Sequence, residues 1–158
     1  MLSLLETYTS CVCVPSNTTK QMPAYPYISF SVINTDTKKG TYAATTVIKD
    51  GKETAVKYMP LTQKWSFTVQ SDNDAEALEK AMLVSDFFQE VKRQELADNN
   101  IIVADVGAIT PRDNFITIEY EYRKGLDVTI SLNNIIENAS NETIDNIVIN
   151  NNIILEKE

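Results

Sequence analysis

The chain has 158 residues, 43% of them hydrophobic, and sets 14 Lys and Arg against 22 Asp and Glu for a formal charge of -8. That length and apolar content suit one globular domain with a real core, and the acidic balance argues against sequence-independent nucleic-acid binding, which relies on Lys and Arg neutralising phosphates. The sequence has no histidine, which excludes Ser-His and Cys-His catalysis and removes the commonest zinc ligand.

In chain order, Met1-Leu2-Ser3-Leu4-Leu5 is apolar but stops at Glu6 without a basic lead, so no signal peptide is read, and no apolar run approaches a membrane span. Leu2, Leu4 and Leu5 suggest a helical turn, and Cys11 to Val14 a strand closed by Pro15. Cys11 and Cys13 are the only cysteines. Their spacing is too tight for an ordinary disulfide and their number too small for a metal site, so they read as structural thiols. Ser16 to Pro26 is a loop in which Pro23 and Pro26 lead in extended form to a second strand, Tyr27 to Val32. A polar loop from Asn34 to Gly40 follows. Asp50-Gly51 between Tyr42–Lys49 and Lys52–Met59 then reads as an exposed hairpin, because both turn positions tolerate positive φ. Pro60 is expected to separate this hairpin from the next strand.

Lys64 to Gln70 alternates with period two, which places Trp65, Phe67 and Val69 on one face. Asn73 with Glu76 has the form of a capping box. The three- and four-residue spacing of Ala77, Leu78, Ala81, Met82, Val84, Phe87, Phe88 and Val91 predicts one long helix lying across that face. Leu96 to Asn100 reads as a polar connection to a strand at Ile101–Gly107, and Thr110 to Asn114 as a turn. The alternation from Ile116 to Leu132, interrupted by Lys124-Gly125, reads as a long antiparallel hairpin. From Asn133 the composition shifts to Asn, Ile and Glu. The expected fold is α+β: a mainly antiparallel sheet with one long helix on one face, an exposed β-hairpin, a domain at 1–136 and a C-terminal β-arm at 137–158.

Chemistry is sparse. Glu119 and Glu121 sit two apart as acid-base carboxylates would, but nothing supplies a pocket to split their pKa values, and a solvated or interface-facing strand explains them. Asp72, Asp74 and Glu76 lack the glycine and later glutamate of a calcium loop, and Gly51-Lys52 lacks the upstream glycine of a phosphate loop. Asn17, Asn138 and Asn141 each begin an Asn-x-Ser/Thr triplet, as chance provides in so Asn- and Thr-rich a chain. No catalytic, metal or cofactor constellation is found, and no enzymatic activity is expected.

The order of elements carries a resemblance. The lead-in Met22-Pro23-Ala24-Tyr25-Pro26-Tyr27-Ile28-Ser29-Phe30, the exposed hairpin, the Ser66-Phe67-Thr68-Val69 strand with its Asp-rich cap, one long helix, and the segment Arg123-Lys124-Gly125-Leu126-Asp127 together resemble the tail terminator or neck proteins of tailed bacteriophages, over roughly Leu4 to Ile136. The resemblance implies a virion protein of the tail and neck, assembled in the host cytoplasm. Such proteins form a homo-oligomeric ring, typically a hexamer, that caps the finished tail tube and stops its polymerisation. The ring joins the head completion or connector protein and, in contractile tails, engages the sheath. DNA would pass an acidic lumen without specific binding.

Contact residues expected on this reading are Lys38, Lys39, Lys52, Ile147, Ile149, Ile153 and Ile154, charged tips or apolar residues with no evident intrachain core. Three readings compete with it. One is another tail component, such as the tube protein or a head-completion protein. Another is a non-viral α+β adaptor that binds partners by edge-strand pairing. The last is a two-carboxylate enzyme such as a glycosidase, which replacing Glu119 and Glu121 by Gln would test.

Overall fold

The alternation of Trp65, Phe67 and Val69 does build the central strand. In the computed structural model, which describes residues 1–19, 21–36, 43–49, 51–116 and 119–138, that strand is far longer than the alternation alone suggests. β4 runs unbroken from Lys52–Ser71, 20 residues, roughly 65 Å of extended chain. Pro60 does not divide it. β4 pairs with β3 (Ala43–Lys49) only as far as Tyr58 and with β2 (Tyr27–Asp36) only from Thr62. Pro60 therefore sits where the flanking ladder is interrupted among the described pairs, a place that tolerates a residue without an N–H.

A second 20-residue strand, β8 (Glu119–Asn138), lies antiparallel to β4 with seventeen consecutive pairs from Ala55↔Asn138 to Ser71↔Tyr122. Lys124-Gly125 is thus the middle of a strand, not the turn of a hairpin, with Gly125 opposite Thr68. The physical reason lies in the pattern itself. Tyr120, Tyr122, Leu126, Val128, Ile130 and Leu132 are all even-numbered, so one straight strand keeps a single parity of apolar positions. A two-residue turn at Lys124-Gly125 would instead pair Tyr122 with Asp127 and Arg123 with Leu126, mixing the faces.

The sheet order is β1-β2-β4-β8-β5, with β3 paired to β4 and β6 and β7 paired to β8. β1 (Val12–Pro15) joins β2 in parallel, and the other pairings are antiparallel. β2 extends to Asp36, so the first part of the expected Asn34 loop is strand. The chain bends at Ala24–Pro26, where the Tyr25–Pro26 peptide is cis, instead of running straight into β2. β5 is Ile101–Val106. The expected turn at Thr110–Asn114 is partly sheet, since β6 (Thr110–Pro111) and the start of β7 (Asn114–Ile116) both pair with β8.

The helices cover one face of the sheet. α1 (Leu2–Thr9) precedes β1, and α2 (Asp74–Asp86) begins at Asn73, whose Oδ1 accepts the N–H groups of Ala75 and Glu76 at 2.9 and 3.2 Å. Only half of the capping box forms. Glu76 accepts from Ser71 Oγ, and that same Oγ accepts the Asn73 N–H at 3.1 Å, so Ser71 stands between the two ends. After α2 comes a π-helical turn, Phe87–Val91, closed by Lys92 N–H to Phe87 O at 3.1 Å, and then α3 (Arg93–Asp98).

This turn corrects the single uninterrupted helix. One extra residue in the turn shifts the phase of the apolar stripe. Phe87 and Phe88 are both fully buried, Val91 is left 50% exposed, and Leu96 is buried in α3 where the sequence suggested a polar connection. Leu78 and Met82, assigned by spacing to the covered side, also lie exposed.

The core joins Leu5, Cys11, Ile28, Phe67, Val69, Ala81, Val84, Phe87, Phe88, Leu96, Val103, Leu126, Val128 and Ile130. Phe88 meets Phe67 and Phe87 at ring-centroid distances of 5.1 and 4.9 Å, and each such ring contributes about 1.5–3 kcal/mol by burial.

Candidate functional site

Because the β4–β8 register never shifts, the residues that alternate with the core on both strands share the face turned away from the helices. Ser66, Thr68 and Gln70 of β4 stand beside Glu121, Arg123, Gly125 and Asp127 of β8 there, with Tyr27 and Ser29 of β2 alongside. This face is polar, and its charges are paired with one another.

Arg112, from the segment between β6 and β7, organises the centre. Its Nη1 donates to Ser66 Oγ at 2.6 Å and Thr68 Oγ1 at 2.9 Å, and its Nη2 donates to Asp127 Oδ1 at 2.9 Å. Lys64 reaches the other carboxylate oxygen of Asp127 at 3.2 Å. The guanidinium crosses directly over Gly125: a Cβ there would lie 2.5 Å from Arg112 Nε and 2.6 Å from Cδ and Cζ. Gly125 therefore serves a close approach inside a strand, not a turn. Burial opposes ionisation of Asp127, but hydrogen bonds from Arg112, Ser66 and Lys64 outweigh it and hold the carboxyl below its usual range.

Nearer the helix N-terminus, Glu121 is only 4% exposed. It accepts from Tyr25 Oη at 2.7 Å, makes a longer contact to Tyr27 Oη at 3.5 Å, and is ion-paired with Arg123. The solvated-strand reading of this carboxylate is therefore overturned, because the Tyr25–Tyr27 lead-in covers it and Arg123 neutralises it. Burial and then the bond to Glu121 push the Tyr25 hydroxyl pKa up. Beside it, Gln70 Nε2 donates to Ser29 Oγ at 2.8 Å, and Gln70 Oε1 has no hydrogen-bond partner among the described residues. Lys124 bridges Asp74 of α2 at 2.6 Å and Asp113 at 3.3 Å, which ties the helix start to the sheet. Asp72, Asp74 and Glu76 thus do not converge on a common point. Among the described residues no group of three or more carboxylates and thiols could hold a metal ion.

The cysteines are free thiols, Cys11 buried and Cys13 half-buried. Burial raises both pKa values, and with the nearby Glu6 and Cys11 charges it pushes Cys13 up to about 12, so neither is poised as a nucleophile.

Of the seven expected contact residues, Lys38, Lys39, Ile147, Ile149, Ile153 and Ile154 lie outside the described residues. Lys52 begins β4 and pairs with Lys49 across the turn, where Gly51 takes φ 75° as an Asp-Gly turn requires. The structure adds an outer margin that sequence reasoning missed. β5 carries a bulge between Val103 and Asp105. It is flanked by a groove of about 270 Å³ lined by Gln89, Glu90, Arg93 and Val103 to Val106. Leu78, Met82, Val91 and Ile102 are exposed apolar residues of the same helices and edge strand. The phase shift at the π turn was the only signal that could have moved Val91 outward.

Comparison with protein-family models finds a match to the phage neck terminator protein along residues 1–158. The chain belongs to that family. The match includes the Asn- and Ile-rich segment after Asn133 that the sequence resemblance left out. No curated protein matches the chain. Membership makes this a structural protein of the phage tail and neck, associated with tail and head components of the virion.

Proposed function

We propose that this neck terminator protein forms a closed homo-oligomeric ring, a hexamer, on the head-proximal end of the finished tail tube. There it stops tube polymerisation and presents the surface that the head connector binds, without catalytic turnover. The family match carries this reading, and two features of the fold support it. Identical copies placed head-to-tail repeat one contact until the rotation closes, and strands with open edges supply hydrogen-bonding surfaces for such contacts. The chain's net charge of -8 favours passage of DNA through a lumen without adhesion.

The proposed contacts are the 34–40 segment with Lys38 and Lys39, the 49–53 turn with Lys52, and the C-terminal segment with Ile147, Ile149, Ile153 and Ile154. The sheath protein of a contractile tail is a further proposed partner. The test is a particle population lacking this protein, viewed by electron microscopy beside purified tail tubes incubated with it. Overlong or unjoined tails in the first and capped tubes in the second are the expected results. A chain that stays monomeric and leaves tubes growing would falsify the proposal.

A further inference from the structure

Beyond the body of the sheet, β3, the Lys52–Pro60 part of β4 and the end of β8 continue as a three-stranded ribbon. The body itself has a margin on each side. On one side β1 pairs with β2 only from Tyr27 to Phe30, and the Cys13 N–H of β1 is already taken by Glu6 Oε1 of α1 at 2.8 Å. From Ser31 to Asp36, β2 pairs among the described residues with β4 alone. Ser31 to Thr35 are exposed there, Val32 at 45% and Ile33 at 54%. On the other side β5 pairs among the described residues with β8 alone, and Ile102, Ala104 and Asp105 are exposed. Arg93 Nη2 reaches Val103 O at 3.4 Å, a long bond that leaves this carbonyl room for a better donor.

The two margins stand at one height. Through β4 and β8, Val32 is level with Val106, Asn34 with Asp105, Thr35 with Val103 and Asp36 with Ile102. β3 has no such counterpart, because it starts opposite Tyr58, level with Ile135, whereas β5 reaches only to Leu132. Three antiparallel steps separate β2 from β5, so the margins run in opposite directions. Each also carries one extra residue. β2 bulges at Ile33 and β5 at Ala104, so Val32–Asp36 and Ile102–Val106 each spend five residues on rows for which β4 and β8 use four. A regular strand, with its side-chain period of two, cannot follow either margin. The margins can follow each other. Their helix-side residues are three apart in both, Val32 and Thr35 in β2, Val103 and Val106 in β5.

We infer that the Val32–Asp36 margin pairs with the Ile102–Val106 margin of a second copy of this chain, in an antiparallel ladder that sets Val32 against Val106, Asn34 against Ala104 and Asp36 against Ile102 of the next copy. Equal height and opposite direction let a rotation without a shift along the strands make this contact and repeat it head-to-tail. A five-residue ladder is small beside the roughly 800 Å² per partner that a stable complex buries, so it holds where ring closure and the tube end add contacts, not between two free copies. The inference rests on the ring reading above and adds to it the strands that meet.

The test uses the full chain carrying both Asn34→Cys and Ala104→Cys, bound to purified tail tubes and treated with a mild oxidant. Within one chain the two positions lie about 14 Å apart across three strand spacings, beyond disulfide reach, whereas directly opposite residues of a ladder are within it. Expected is a ladder of covalent multimers on a non-reducing gel, absent for the parent chain and for either single substitution. Separately, Ile33→Asp places like charges opposite each other at Asp105 of the next copy and should raise the concentration for half-capping by about tenfold or more. Adding Asp105→Lys should restore it, with the melting curve unchanged by either. Capped tubes without covalent multimers overturn the pairing and leave the ring reading standing, as does failure of Asp105→Lys to restore capping. A covalent dimer from either single substitution also overturns it, since the contact would then be two-fold. A parent chain that neither caps tubes nor multimerises on them defeats the ring reading and this pairing together.

Discussion

The two ends of β4 are the same strand in different circumstances. At the body end Phe67 and Val69 are 1% exposed beneath the helices, and the opposite face is consumed by hydrogen bonds through Arg112, Asp127 and Glu121. At the ribbon end the apolar residue that is buried, Val56, faces the other way, and Ile48 on the neighbouring strand is 77% exposed. Continuous pairing with β8 joins the two ends without a hinge. Burial of large apolar side chains is therefore concentrated at the body end of a long element, while among the described residues the ribbon end leaves Val47 and Ile48 open.

The largest effect should come from the body. Phe67→Ala removes a buried ring that packs on Phe88 and Trp65 and should cost about 3–5 kcal/mol in urea unfolding. A loss below about 1 kcal/mol would mean that the helices do not anchor the sheet there.

Next is Gly125→Ala. The new methyl group would displace the Arg112 guanidinium from Ser66, Thr68 and Asp127, and losing hydrogen bonds to a charged group places the expected cost at about 2 kcal/mol. Combining it with Arg112→Ala should be clearly less than additive, because both changes remove the same contacts. Gly51→Ala offers the contrast at the ribbon tip. Nothing lies within 4 Å of a Cβ there, and only its φ of 75° resists, a backbone penalty of about 1 kcal/mol. Full additivity of Gly125→Ala with Arg112→Ala would separate the glycine from the arginine.

These two glycines also show where the sequence could be read and where it could not. Asp50-Gly51 announced its turn through local chemistry, and Asn73 announced a cap, because both depend on backbone within a few residues. The same local logic reads Gly125 as a turn. Its actual reason is Arg112, brought over the strand by pairing that sequence proximity does not reveal, although the even parity from Tyr120 to Leu132 was available as a warning. Glu121 was misplaced for the same reason, since the tyrosines that bury it lie about ninety residues earlier. The helix stripe was legible for Ala77, Ala81, Val84, Phe87 and Phe88, was drawn too wide at Leu78 and Met82, and failed at the π turn, where one residue changes the phase. The family was legible from the order of elements, which survives errors in individual turns.

Asp127→Asn tests the charged face. The folded-state pKa of Asp127 lies below its ordinary value, so its extra stability is fully present above the usual carboxylate range and disappears as pH falls through the folded pKa. The substitution should cost about 1–2 kcal/mol at neutral pH, allowing for partial exposure of the pair. The gap between the two proteins should close below about pH 4. A gap that stayed constant with pH would assign the cost to shape instead of charge.

The smallest effect on stability is expected at the ribbon, where it carries the most information about assembly. Ile48 has almost no intrachain contact to lose, so Ile48→Lys should change unfolding by no more than about 0.5 kcal/mol. On the proposed ring reading the same change places a charge on a surface meant for another molecule, and burying an unpaired charge there opposes docking. The expected pattern is an unchanged melting curve with loss of tube capping. Intact capping would leave the exposed isoleucine without a role in assembly. A melting curve that fell with capping would mean that the ribbon and the body unfold as one unit, against the division of labour that their exposures suggest.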